Sequence, residues 1–317
     1  MTKPFIFLSL VLIGCGGEAT NIVDAVLVPE SAGTDSASTP AMDIGAGMGE
    51  ACPVLDEATG SRKGIYNHHI RAMDSRDGLS FIKNDTVLLD HASVPEAILR
   101  PDGEVWVYFI NGQPGQHAIF IAKQKPDGSL ETFDCVRIDG VINGNAVDPD
   151  IVRMDDGRYR IFFFEGWFVG GRKENVHSFY SAVSTDGIHF TLEGKVLEID
   201  GGGTDPTVAH FPDGTWLMAL AYTDGVLLAT SDDGETFALT GQSLPQGIPE
   251  LATFDDGRVR LYIASREGLL IHSSMDQGAS WEEEKVVPLG GADPSLIQLG
   301  PSSWRLFYKG FNPPSPN

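Results

Sequence analysis

Basic residues are scarce in this sequence: 22 lysines and arginines stand against 44 aspartates and glutamates among 317 residues, a formal net charge of −22. A surface of that sign repels phosphate backbones and anionic head groups, which argues against nucleic acid as a partner. Cysteine is nearly absent, with Cys15, Cys52 and Cys135 alone, and no Cys/His spacing of a zinc site occurs. The apolar run Phe5–Ile13 is too short to span a bilayer and has the length of a signal-peptide core. Neither Gly170-Gly171 nor Gly201-Gly202-Gly203 opens a helix, so no phosphate-cradling loop is present. No window of helical length keeps a 3.6-residue apolar period, which leaves an all-β chain.

What the sequence does contain is one short phrase in five copies. It reads Val94-Pro95-Glu96, Asp148-Pro149-Asp150, Asp205-Pro206-Thr207, Ile248-Pro249-Glu250 and Asp293-Pro294-Ser295, each followed by two apolar residues. Eight residues after the first four prolines stand Gly103, Gly157, Gly214 and Gly257, each preceded by Asp; the fifth copy has Ser302 there. A second apolar run follows every turn. The prolines are 54, 57, 43 and 45 residues apart, which is the period of a propeller blade.

Each repeat has room for four strands. The proline phrase is the first, the run after the Asp-Gly turn the second, and a third and fourth flank a further turn. Those turns are Ser184-Thr185-Asp186-Gly187, Ser231-Asp232-Asp233-Gly234 and Ser274-Met275-Asp276-Gln277-Gly278. The last phrase is followed by only two strands, whereas the segment from Ile70 to Leu89 reads as a third and fourth strand without a first and second. The two ends therefore complete one blade, closing an all-β, five-bladed propeller without open sheet edges.

This topology sorts the polar residues. All first strands run the same way, so their starts gather at one mouth of the central channel, with Glu96, Asp148, Asp150, Asp205, Glu250 and Asp293 around it. Crowded carboxylates raise one another's pKa, and a carboxyl that keeps its proton beside an ionised neighbour supplies the acid and base that glycosidic hydrolysis needs. The plainer reading is that Asp before Pro caps a turn. Second strands end at the same mouth, adding Asn111, Glu165, Trp167, Tyr222, Arg266 and Lys309 as substrate-binding candidates. His210, four residues after its proline, could hold a metal or a water in the channel, or serve as a hydrogen-bonded core histidine. The chemistry requires no cofactor, although the channel offers a place for Ca2+.

The Ser-x-Asp-Gly turns resemble the Asp-box of sialidase-like propellers, a mark of architecture more than of activity. Together with the Asp-Pro starts and Asp-Gly turns over residues 64–310, they make the chain similar to the five-bladed superfamily of arabinanases, β-xylosidases, levanases, invertases and β-mannoside phosphorylases. In the arabinanase-like group a base Asp, a tuning Asp and an acid Glu come from successive blades. By position the resemblance implies Asp148 or Asp150, Asp205 and Glu250, with Glu96 and Asp293 in reserve. Val94 and Ile248 depart from it, standing where an acid would precede Pro. A sialidase would need six blades and three converging arginines; that exo-glycosidase is the weaker enzymatic alternative. A non-catalytic propeller binding a glycan, metal or protein is the alternative from another class, and an envelope scaffold a third.

Leu12-Ile13-Gly14-Cys15 resembles a bacterial lipobox, which implies cleavage and acylation at Cys15. The expected organisation is a lipoprotein signal over 1–15, a flexible acidic tether over 16–55 and the propeller over 56–317, on a monomer exported to the cell envelope, held to the membrane only by lipid and acting on a glycan or oligosaccharide. Residues 16–50 contain no Lys or Arg and too little apolar surface to fold. In that compartment Cys52 and Cys135 can pair, or remain two buried thiols.

Overall fold

Asp-Gly at a fixed distance after the proline sets the geometry of each repeat. In the second copy Gly157 takes φ +87°, its N–H bonds to the Met154 carbonyl at 2.9 Å, and the Asp156 carboxylate accepts the Arg158 N–H at 3.0 Å. Glycine alone enters that backbone region without strain, so the chain reverses and the second run lies antiparallel to the first.

A computed structural model of the chain describes residues 51–52, 64–141, 146–165 and 176–312. After a 3-10 turn at Gly64–Asn67 come β1 (His68–Ser75), β2 (Phe81–Lys83) and β3 (Leu89–Asp90). Blade I is β4 (Ala92–Leu99), β5 (Val105–Asn111), β6 (Ile119–Gln124) and β7 (Leu130–Cys135). A short β8 (Arg137–Asp139) joins the outer edge of blade II, which is β9 (Ala146–Arg153), β10 (Tyr159–Glu165), β11 (Val176–Ser184) and β12 (His189–Asp200). Blade III is β13 (Thr204–His210), β14 (Trp216–Tyr222), β15 (Gly225–Ser231) and β16 (Ala238–Leu244); blade IV is β17 (Ile248–Thr253), β18 (Val259–Ser265), β19 (Gly268–Ser274) and β20 (Glu282–Val287). The chain ends with β21 (Ala292–Gly300) and β22 (Ser303–Phe311). β22 pairs antiparallel with β1 from His68↔Phe311 to Ser75↔Trp304, and β2 and β3 together form the outer edge. The fifth blade is thus built from both ends, as the sequence predicts. Among the described residues no helix is long and apolar enough to cross a membrane.

Second strands carry the core, with Tyr108, Phe162, Phe163, Phe164, Tyr262, Phe307 and Tyr308 all under 2% exposed. The Ser-x-Asp turns bind one blade to the next. In Ser184–Gly187 the Asp186 carboxylate accepts the N–H groups of Ile188 and His189 at 2.8 and 2.9 Å. The turn's outward carbonyls then receive bonds from blade I, Arg100 Nη1 to Asp186 O at 3.2 Å and Tyr108 Oη to Gly187 O at 3.0 Å. Arg160 bonds Asp233 O, and Arg260 and Tyr262 bond Asp77 O and Gly78 O, across two further seams. These arginines stand at the face away from the channel mouth.

Cys52 and Cys135 form a disulfide across 83 residues, with Cα atoms 5.8 Å apart. It ties the residues before the first strand to the end of β7. Closing a loop of that length removes about 4–5 kcal/mol of unfolded-chain entropy. Cys52→Ser, or reductant on the wild type, is therefore expected to lower Tm by about 10 °C in a thermal scan; a wild-type Tm indifferent to reductant would contradict this.

Candidate active site at the mouth of the channel

The five innermost strands, β4, β9, β13, β17 and β21, pair with no strand on their channel side. Their buried N–H groups there need other acceptors. The residue after each proline supplies one. Ser295 Oγ accepts the Ala97 N–H at 2.9 Å, Thr207 Oγ1 the Leu251 N–H at 2.9 Å and Glu250 Oε1 the Leu296 N–H at 2.8 Å. The Glu96 and Asp150 carboxylates stand beside the Ile151 and Val208 N–H groups, which favour their charged forms. Each blade thus clasps the next, and the fifth clasps the first. Every member of this column has a side-chain oxygen because every seam requires one. Glu96, Asp150 and Glu250, three acids expected from sequence to serve catalysis, belong to this inner ring. A search for acids passes over its hydroxyl members Thr207 and Ser295, although their shared column after the proline is legible.

The inner ring is under electrostatic load. One oxygen each from Glu96, Asp150 and Glu250 lie within 4.8 Å of one another, and all three residues are no more than 8% exposed. Burial first, then the charges of Glu250 and Asp150, push Glu96 well above the ordinary carboxylate range. Glu250 is raised by burial and by Asp150. Burial lifts Asp150 to about 7, against the opposing bonds from Val208 and Thr207. Asp150 Oδ2 is buried with no hydrogen-bond partner. Such an oxygen cluster fits either shared protons or a hard cation, whose Ca–O distances of about 2.3–2.6 Å suit it.

Above it lies an outer ring formed by the residues before the prolines: Val94, Asp148, Asp205, Ile248 and Asp293. Four of these have φ between +48° and +50°, a left-handed backbone that costs roughly 1–3 kcal/mol each and is least natural for β-branched Val94. The register slips beside each of the four, a β-bulge that accommodates the missing proline N–H. In blade IV, Ile248-Pro249 pairs regularly with Ala264 and Ile263. The two rings line a small axial cavity open to solvent.

Outer-ring charges are unequal. Lys309, 8% exposed, places Nζ 2.5 Å from Asp293 Oδ2, an ionic contact whose geometry does not make a hydrogen bond. Asp148 and Asp205 line the cavity and are half-buried there. Burial, then the Asp205 and Asp293 charges, raise Asp148 well above its ordinary range, with Lys309 opposing. Burial and Asp293 bring Asp205 to about 6, opposed by Thr204 and Lys309. Next to Lys309, burial first and that ammonium second hold His68 near 3, and its Nδ1 lies 2.9 Å from Ser93 Oγ.

The remaining candidates are dispersed. Asn111 is buried in its own loop, bonded to Gln113 N and Gln116 Oε1. Tyr222 donates to the Asp200 carbonyl at 3.2 Å on the lip between blades II and III. Arg266 stands exposed in the turn between β18 and β19. His210 stacks on Trp216 at 4.1 Å; five residues of strand, about 17 Å, separate it from Asp205, and it lends no ligand atom to the acid cluster. Glu165 ends β10 and is described by its backbone alone; Trp167 and Cys15 lie outside the described residues.

The sequence matches no protein-family model and no curated protein. The fold, by contrast, is shared with solved glycoside hydrolases. A thermostable family-43 glycoside hydrolase superposes with a TM-score of 0.54 at 11% identity, covering 72% of this chain and 88% of that one. A protein described as a putative exo-β-1,3-galactanase of Bifidobacterium bifidum s17 gives 0.50 at 13% identity, covering 70% and 91%. At such identities the likeness is one of fold.

Proposed function

We propose that this chain is a carbohydrate-active propeller that hydrolyses a glycosidic bond of a neutral or weakly charged glycan at the outer ring. The observation that carries the reading is the juxtaposition of Asp148, Asp205 and Asp293 on three strand starts of one small cavity, in unlike charge environments. Asp148, whose carboxyl burial and the Asp205 and Asp293 charges hold well above the usual carboxylate range, can give a proton to a leaving oxygen; Asp205, titrating near 6, can act as base or nucleophile. The clasp role leaves Glu96, Asp150 and Glu250 beneath them as support. A cation there, Ca2+ by the donor set, would be structural, holding the clasp in place of protons. The test is a screen of the purified chain on aryl glycosides and on plant and microbial polysaccharides; release of no sugar from any of them would end the hydrolase reading.

One observation favours the second reading, a propeller that binds a glycan without cleaving it. Val94 and Ile248 put apolar side chains at two of five outer positions. Saturable glycan binding without turnover would establish it.

The lipobox-like Leu12-Ile13-Gly14-Cys15 supports an exported, lipid-anchored protein in the bacterial envelope, with residues 16–50 as tether. Cys15→Ser is expected to abolish incorporation of radiolabelled palmitate and to move the protein out of the membrane pellet. Unchanged labelling would refute acylation at that residue.

A further inference from the structure

We propose that Lys309 is the positioning residue of the outer ring: its buried ammonium fixes Asp293 and supplies the positive charge against which Asp148 and Asp205 divide the work of acid and base. The proposal rests on the hydrolase reading and adds to it a residue that need not touch substrate. Three aspartates share the cavity rim, and among the described residues Lys309 brings a cation to it from the wall, 2.5 Å from Asp293. It arrives there because β22 is the second strand of the closing blade, so its end returns to the mouth where β21 begins, with Lys309 opposite Ala292.

The surroundings keep that ammonium in place. The residue two further along the strand, Phe311, lies with its ring 5.6 Å from Nζ, and Phe311 meets the buried His68 ring edge-on at 5.2 Å. His68, neutral through burial, adds no competing charge. A lysine lost to solvent would leave Asp293 as a third unopposed carboxylate; Asp148 and Asp205 would then hold protons more tightly, and less of the base would be ionised at neutral pH. Among the described residues, the titratable groups facing Lys309 include Asp293 on β21, His68 on β1, and Asp148 and Asp205 across the channel. Those acting on Asp205, among the described residues, are Asp148 on β9, Asp293 on β21 and Lys309 on β22.

The experiment follows Asp205 directly, by NMR titration of carboxyl-labelled aspartates in the full chain, alongside pH–rate profiles. In Lys309→Met the Asp205 midpoint is expected to rise from about 6 by at least about one pH unit. The rising limb of kcat should move with it, with kcat at pH 6 falling about 5-fold and KM little changed. Lys309→Arg is expected to restore both. Asp293→Asn, which removes a like charge and releases Lys309 from it, should shift Asp205 the other way, and decides the matter if Lys309→Met does not fold. An Asp205 midpoint unmoved in either variant, or an arginine variant as impaired as the methionine one, overturns the proposal. Should the wild type show no turnover while the midpoints move as stated, the charge role stands and the hydrolase reading falls.

Discussion

Asp205→Asn is expected to lower kcat by roughly 100- to 10,000-fold on any glycoside the protein hydrolyses, with KM changed far less. Asp205 sits on a bulged strand start with φ +50°, so its carboxylate is placed by backbone geometry that asparagine can share; what the substitution removes is the charge. Asp148→Asn should behave differently. A proton donor matters most when the leaving group is a poor one, so the loss should be large for alkyl glycosides and small for dinitrophenyl glycosides that leave unaided. The pH profile separates the two roles. Asp205 must be ionised, so the wild-type rate should climb as pH rises through about 6. Asp148 must be protonated, so the rate should fall again at higher pH, where its raised pKa is crossed. Asp148→Asn should erase that falling limb while leaving the rising one. Rates indifferent to both substitutions would remove the outer ring from catalysis and leave binding as its purpose.

The parts of this architecture readable in sequence are those set by local chemistry. Asp-Gly eight residues after a proline dictates a reversal wherever it occurs, so four copies announce four hairpins, and Trp304–Tyr308 followed by no third strand announces the shared blade. The gathering of Asp148, Asp205 and Asp293 at one mouth follows from parallel first strands. What sequence hides depends on neighbours that only ring closure creates. That Glu250 also holds the Leu296 N–H of the following blade shows only once the ring is closed. His210 reads as either a channel ligand or a core histidine until strand length carries it to the far end, against Trp216. The left-handed φ of Val94 has no sequence signature at all, since valine before proline ordinarily marks extended chain. Lys309 is legible as a mouth residue, but its pairing with Asp293 needs the register of β22 on β21.

Asp150→Asn is expected to make the protein more stable at pH 8, an unusual outcome for a buried, hydrogen-bonded side chain. The carboxyl of Asp150 titrates near 7 in the folded protein and near 4 in an unfolded chain. A folded state that holds its proton to higher pH than the unfolded state loses stability as pH rises between those values, the loss starting near 4 and complete above 7. A gap of about three pH units between the folded and unfolded titrations corresponds to at most about 4 kcal/mol. Asparagine keeps an oxygen for the Val208 N–H and puts an amide where Oδ2 now has no partner, so the clasp survives while the charge goes. The variant should therefore gain roughly 2–4 kcal/mol, or about 5–15 °C in Tm, at pH 8, and little at pH 4, where the folded wild type is protonated and the unfolded chain about half so. Equal destabilisation at both pH values would show that Asp150 is an ordinary hydrogen-bonding residue and that the inner ring carries no charge strain. Millimolar Ca2+ supplies the complementary arm. If it flattens the wild-type decline between pH 4 and 8, EDTA restores the decline, and Asp150→Asn is blind to both, then the three inner carboxylates close the ring around a metal ion; if Ca2+ changes nothing, they close it with protons.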